Sequence, residues 1–221
     1  MKPSIFITKE IEEQSDLKQW CLENNIKLVS TSFLTFKPIT SSELPKEEVY
    51  FFSSKRAVYY FVSQFQIPDN VKIACVGQAT ANECAKHKIR VDFIGKTSGN
   101  PQLLAAELSY FLGEQSIVFI GALEGSDAIY NELNTLNKSK SPVYQTFVES
   151  SVINENFEYY IFTSPSNLEG FLKLNKFPID SKIIAWGKTT EKALKQNGLV
   201  SFFTLQNSTE KELISKLSLD C

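Results

Sequence analysis

Short, continuous apolar runs alternate with amphipathic stretches along the whole chain. Residues 5–7, 49–54, 72–76, 91–94, 116–121, 159–163, 182–186 and 201–205 read as strands. Each run is apolar throughout rather than at every second position, as fits a sheet covered on both faces. Between them the spacing predicts helices over 17–24, 55–65, 80–88, 102–112, 127–136, 166–174, 190–197 and 210–217. Ser15 and Asp16 supply a cap for the first, and Pro101 opens the fourth, since proline favours the first helical position. Two longer extended runs, 27–36 and 142–148, are each followed by a polar connection, 37–48 and 150–156; the first outlasts a core strand of ~5–6 residues. Strand and helix alternate throughout, which predicts an α/β fold with parallel sheets.

The pattern is stated twice. Lys182-Ile-Ile-Ala-Trp-Gly-Lys-Thr-Thr190 repeats the form of Lys72-Ile-Ala-Cys-Val-Gly-Gln-Ala-Thr80, 110 residues earlier. At that one offset Tyr50 meets Tyr160, Phe52 meets Phe162, Ser54 meets Ser164, Phe61 meets Phe171, Gly77 meets Gly187, Thr80 meets Thr190 and Ser98 meets Ser208. A single register held without a gap over more than fifty residues is the mark of duplication. The opening segment 5–34 also resembles 117–148, at an offset near 113. In both copies of the key stretch an apolar strand runs into a glycine and then a helix. Such a turn presents unpaired backbone N–H groups, which suit an anion. Ligands of open α/β sheets bind beyond the carboxyl ends of the strands. Two duplicated frames facing a common cleft would hold a large, flat, anionic molecule from both sides.

Composition narrows the picture. The 221 residues suit one large domain or two small ones, and 17 phenylalanines are ample for two cores. A formal charge of −2 and a pI near 5.6 argue against a general nucleic-acid binder. Cys21, Cys75, Cys84 and Cys221 show no CxxC spacing, and His87 is the single histidine, so metal ligation, a redox dithiol and a histidine-based triad have little to build on. No apolar stretch approaches the ~20 residues of a membrane span, and the N-terminal run is too short for a signal peptide core. The expectation is a cytoplasmic protein with reduced cysteines.

Several motifs carry candidate chemistry. Gly187-Lys-Thr-Thr190 invites a P-loop reading, but that pattern needs a glycine where Lys182 stands. Ser53-Ser54 and Thr163-Ser-Pro-Ser166 end strands and open helices. Their hydroxyls cap helices, and the same hydroxyls and N–H groups are placed to meet ligand carboxylates. Thr80, Thr189 and Thr190 occupy the paired turns. Lys9, Lys55, Arg56 and Lys188 follow strand ends and are candidate counter-charges. Tyr144 lies in the second long run, either as a packed strand tyrosine or as a neutral proton donor to a leaving oxygen.

Tyr50-Phe-Phe-Ser-Ser54, Ala74-Cys-Val-Gly-Gln-Ala-Thr80, Val143-Tyr-Gln-Thr146, Phe162-Thr-Ser-Pro-Ser166 and Ala185-Trp-Gly-Lys-Thr-Thr190 come in the order and spacing of one family. With the repeat, the chain resembles uroporphyrinogen-III synthases over almost its whole length. The resemblance implies two flavodoxin-like α/β domains joined by a two-stranded β ladder with a cleft between them. One domain would be 1–34 with 150–221, the other 36–148 inserted into it; the repeat alone would cut the chain near 113. The implied substrate is hydroxymethylbilane, a linear tetrapyrrole with eight carboxylates, and the implied reaction is its dehydrating closure to uroporphyrinogen III with the terminal ring inverted. No metal or organic cofactor is implied, and a monomer is the default expectation.

The resemblance also assigns roles. Tyr144 matches a tyrosine suspected of assisting hydroxyl loss. Thr80, Thr190, Ser164 and Ser166 match turn residues near the family's ligand, and Ser53, Ser54, Thr189 and Lys9 complete the candidate binding set. Two departures stand out: Lys9-Glu10 occupies a place where family members commonly have arginine and proline, and Gly125-Ser126 one where many have Gly-Arg. A lysine serves as a point charge but not as a bidentate fork. The competing readings are a non-catalytic two-domain binding or sensor protein, which shares the fold class, and a flavin or nucleotide protein, which lacks a phosphate loop.

Overall fold

The structure, a computed structural model, describes residues 3–219; Met1, Lys2, Asp220 and Cys221 lie outside the described residues. In chain order the elements are β1 (Ser4–Ile7), α1 (Asp16–Glu23), β2 (Lys27–Ser30), β3 (Leu34–Pro38), β4 (Val49–Phe52), α2 (Lys55–Val62), β5 (Lys72–Cys75), α3 (Gln78–Lys86), β6 (Phe93–Ile94) and α4 (Pro101–Leu112). There follow β7 (Ile117–Ala122), α5 (Ala128–Glu132), β8 (Lys138–Val148), β9 (Tyr159–Phe162), α6 (Pro165–Leu172), β10 (Lys182–Ala185), α7 (Lys188–Gln196), β11 (Phe203–Thr204) and α8 (Glu210–Leu217).

The chain divides into two compact units. Unit 1 is Met1–Thr35 with Phe147–Cys221, and unit 2 is Phe36–Thr146. The chain leaves unit 1 within β3 and returns to it within β8, and these two strands are hydrogen-bonded neighbours, with Ile39 N donating to Val143 O at 2.9 Å.

Unit 1 holds a sheet in the order β11-β10-β9-β1-β2, all of its pairs parallel. Numbered within the unit this is the flavodoxin-like order, whose switch point falls between β1 and β9. Unit 2 has the order β3-β8-β7-β4-β5-β6, with β4 and β7 as the switch pair. Five strands correspond, β4, β5, β6, β7 and β8 of unit 2 to β9, β10, β11, β1 and β2 of unit 1, and β3 is an additional edge strand. From β4 to β6 every element recurs 110 positions later, from β9 to β11, with the same bounds. Both sheets are therefore mixed α/β frames of one design, as the repeated pattern predicts.

The apolar runs are buried on both faces because helices cover both. In unit 2, Tyr50 and Phe52 of β4 pack with Ala57, Val58, Phe61, Ala81 and Cys84 of α2 and α3, while Val49 and Phe51 pack with Leu104, Leu108 and Leu112 of α4. In unit 1, Tyr160 and Phe162 face Leu168, Phe171 and Leu194 of α6 and α7, and Tyr159 and Ile161 face α1 and α8. Side-chain caps start five of the helices: Ser15, Ser54, Asn100, Ser164 and Thr209 each accept a bond from the N–H three residues on, at 3.0–3.3 Å.

Three sequence expectations are corrected. The extended run 27–36 is two strands, because Phe33 turns into the aromatic core and its N–H bonds Asn167 Oδ1 at 2.8 Å instead of a ladder. The helix expected over 127–136 stops at Glu132. Leu133 drops into the core, and Lys138 Nζ closes the end by donating to Tyr130 O at 2.7 Å and Leu133 O at 2.6 Å. The strand expected from 142 opens at Lys138, where a polar stretch is carried by its parallel register with β7.

Candidate functional site

The carboxyl ends of the switch strands differ between the two units. In unit 1, Thr8 directly follows β1 and Thr163 directly follows β9, and the two lock together. Thr163 Oγ1 donates to Thr8 O at 2.6 Å, and Thr163 N donates to Thr8 Oγ1 at 3.0 Å. At the matching places in unit 2 stand Gly121 and Ser53. A Cβ on Gly121 would lie 2.5 Å from Ser53 Oγ, so the glycine is what lets Ser53 come close. Ser53 Oγ donates to Ile120 O at 3.1 Å.

Beside this pair lies a cavity of about 450 Å³ lined by Ser53, Ser54, Ser98, Gly121, Asp127, Tyr130, Lys140 and Tyr144, among others. It thus brings together three sequence-predicted site residues: Ser53, Ser54 and Tyr144. Ser54 caps α2 through Ala57 N at 3.0 Å, and its Oγ lies 3.2 Å from the Tyr144 hydroxyl. The Tyr144 ring is 7% exposed, stacked on Tyr60 at 5.3 Å and set edge-on to Phe36 at 6.0 Å. The Arg56 guanidinium lies over the Phe36 ring, 3.7 Å from its centroid. A phenol so fixed has one hydroxyl to offer, held in place by a serine that is itself held by a helix end.

Thr80 is in the same unit, in the first turn of α3. That helix starts at Gly77 with no side-chain cap, as α7 in unit 1 starts at Gly187 with none. Capping serines at these two starts would satisfy the first N–H groups; glycines leave them to a ligand or to water. Thr80 and Thr190 are both buried, at the third position of their helices, and Thr189 is exposed beside Thr190. Ser98 and Ser208 stand next to the two glycines.

The remaining candidates lie in unit 1. Ser164 caps α6 and accepts from Asn167 Nδ2 at 3.1 Å; Ser166 is half-buried in the first turn. Lys9 is not a bare cation. Its ammonium pairs with Glu210 Oε1 at 2.7 Å and sits over the Trp186 ring at 5.2 Å. Burial pushes the Glu210 carboxyl up, but the bonds from Lys9, Ser15 Oγ and Leu17 N together hold it below the ordinary 4.5. The folded state favours the charged form, so the stability Glu210 lends is present above that value and fades as pH falls through its lowered one. Glu210→Gln is expected to lower the urea midpoint at pH ~7, and the difference should narrow as the pH falls through the lowered carboxyl value; equal midpoints at neutral pH would remove the ion pair from the stability of α1 and α8.

Sequence reasoning passed over Asn167, Gly121 and Lys140, and read Asp127 only as a helix start. Asn167 is buried in the first turn of α6 and could have been found as a polar residue on an apolar face; the others show only in three dimensions. Among the described residues no three His, Cys, Asp or Glu side chains gather as a metal would require, and no helix is long and apolar enough to cross a membrane.

Fold and site together define a class: duplicated flavodoxin-like α/β units whose uncapped helix starts and hydroxyl-lined strand ends suit a polyanionic ligand. The family model described as uroporphyrinogen-III synthase HemD matches residues 16–215, and the chain belongs to that family. A porphyrin biosynthesis protein HemD of Ruminiclostridium josui is 30% identical over 162 residues, 67% of this chain and 32% of that protein, so the chain matches about a third of that relative's length. A uroporphyrinogen-III synthetase structure from Helicobacter pylori superposes with a TM-score of 0.74 at 17% identity, covering 100% of this chain and 99% of that one. A mutant uroporphyrinogen III synthase from Thermus thermophilus superposes with a TM-score of 0.59 at 11% identity, covering 99% and 97%. At those identities the likeness is one of fold.

Proposed function

We propose that the chain is a uroporphyrinogen-III synthase, a lyase that closes hydroxymethylbilane to uroporphyrinogen III with loss of water. The observation that carries this reading is the family match across residues 16–215, which runs through both units and takes in Ser53, Ser54, Thr80, Tyr144, Ser164, Ser166, Thr189 and Thr190. In this reading residues 36–148 form a domain inserted into one made of 1–34 and 150–221. The protein acts as a cytoplasmic monomer.

The chemistry asks little of side chains. Protonation of the terminal hydroxyl lets a pyrrole nitrogen lone pair expel it as water, leaving an azafulvene cation. The last ring attacks that carbon through its own substituted position, giving a spiro intermediate. The bond from that position to the old neighbour then breaks, leaving the neighbour's methylene as a second azafulvene cation; the ring's free α carbon attacks it, and loss of that carbon's proton restores the pyrrole with the ring inverted. The protein folds a flexible chain into one geometry and keeps water off the cation.

Tyr144 is the proton donor in this scheme, positioned by Ser54. Ser53, Ser54 and Thr80 in unit 2, and Ser164, Ser166, Thr189 and Thr190 in unit 1, meet substrate carboxylates together with the turn N–H groups. Lys9 contributes by sharing its ammonium with Glu210.

The test is to supply hydroxymethylbilane and separate the product isomers. Uroporphyrinogen III is expected; the non-inverted isomer alone, the product of unassisted closure, would point to a binding or sensor protein instead. Thr80→Val and Thr190→Val should each raise KM by ~3–10-fold, the worth of one hydrogen bond, while the unfolding midpoint moves little because valine keeps the shape. Parallel losses in both would assign these threonines to helix packing.

A further inference from the structure

We propose that Lys140 is a substrate-carboxylate site in the unit 2 cavity, and so a specificity-determining residue; the inference rests on the synthase reading above. Among the described residues lining that cavity, Lys140 is the one lysine or arginine and Asp127 the one carboxylate. The two are paired, Nζ to Oδ1, at 2.6 Å. The ammonium also sits over the Tyr130 ring, 4.4 Å from its centroid.

Held from these two sides, the side chain is fixed in place before any ligand arrives. An ammonium has three donors, and Asp127 takes one. The side chain remains 43% exposed, which leaves the other donors accessible to a second carboxylate. Lys140 and Tyr144 belong to one strand, β8, and pair across a bulge with Phe119 and Ala122 of β7, three residues or roughly 10 Å apart along the sheet. That span exceeds one pyrrole. A substrate whose terminal hydroxyl meets Tyr144 would therefore present to Lys140 a carboxylate from further along its chain of rings. A contact of this kind fixes which ring lies where, and ring placement decides the isomer. The adjoining Ser126 carries no charge, so the only cationic recognition in this cavity falls to Lys140.

The test compares parent, Lys140→Gln and Lys140→Arg in steady-state turnover of hydroxymethylbilane, with thermal midpoints recorded alongside. Lys140→Gln is expected to raise KM by ~10–100-fold, as for a lost charged hydrogen bond, with kcat within ~2-fold and the midpoint unchanged. The parent's KM is expected to rise with salt, and Lys140→Gln should flatten that rise. Lys140→Arg should stay within ~3-fold of the parent, since it keeps the charge. An unchanged KM in Lys140→Gln overturns the proposal, as does a fall in kcat at constant KM. If Lys140→Gln folds poorly, Lys140→Arg decides, and a KM raised tenfold there also overturns it. Absence of turnover in the parent would instead strike the synthase reading.

Discussion

Tyr144→Phe is expected to slow the closure of hydroxymethylbilane by ~10–100-fold, the lower end of what a positioned general acid contributes, in a chain that folds as before. The ring stays: phenylalanine keeps the stack on Tyr60 and the edge contact with Phe36. Only the hydroxyl is lost, and with it the 3.2 Å contact to Ser54 Oγ. Ser54 still accepts from Ala57 N, so no buried group is stranded and the stability cost is ~1 kcal/mol or less. The rate effect stays modest because the substrate's own lone pairs do the bond breaking. Single-turnover rates would check it with saturating substrate, where a binding defect cannot imitate a chemical one. A rate within twofold of the parent would leave Tyr144 as a wall of the cavity and nothing more. Ser54→Ala gives a second reading: the phenol remains but loses its partner, so a smaller fall in rate is expected.

What the sequence disclosed and what it hid have separate physical causes. Buried parallel strands must be apolar throughout, so 49–52 and 159–162 were legible as strands, and their identical spacing exposed the duplication. Capping serines follow a local rule, so Ser15, Ser54 and Ser164 were readable without any knowledge of the fold. The cavity was not. Gly121 and Thr8 hold corresponding places, yet one permits close approach of Ser53 while the other locks to Thr163. That difference arises between strands far apart in sequence. Lys140 was hidden for the same reason: in sequence it is one of two lysines in a polar stretch, and only the register of β8 with β7 sets it beside Asp127 and Tyr130. Family resemblance carried Tyr144, which the residues alone left open between packing and chemistry.

The duplication makes one stability experiment self-controlled. In unit 2, Phe61 meets Tyr50 and Phe52 edge-on, both at 5.5 Å. In unit 1, Phe171 meets Tyr160 at 5.6 Å and Phe162 at 5.3 Å in the same manner, and stacks on Phe177 at 4.9 Å. Phe171 also touches the rings of Phe6 and Phe33, so it is the hub of its cluster. Phe171→Ala removes a fully buried ring whose neighbours are themselves large and fixed, which limits collapse into the space. The expected loss is ~3–5 kcal/mol. Both tryptophans, Trp20 and Trp186, lie in unit 1, so their fluorescence follows that unit. In urea, Phe171→Ala should move the fluorescence transition to much lower concentration. Phe61→Ala should unfold unit 2 early, lowering the midpoint by circular dichroism while the fluorescence midpoint shifts less. A loss below ~1 kcal/mol for Phe171→Ala would mean that the cluster closes over the gap. Identical shifts by both probes in both variants would mean that the two units unfold as one.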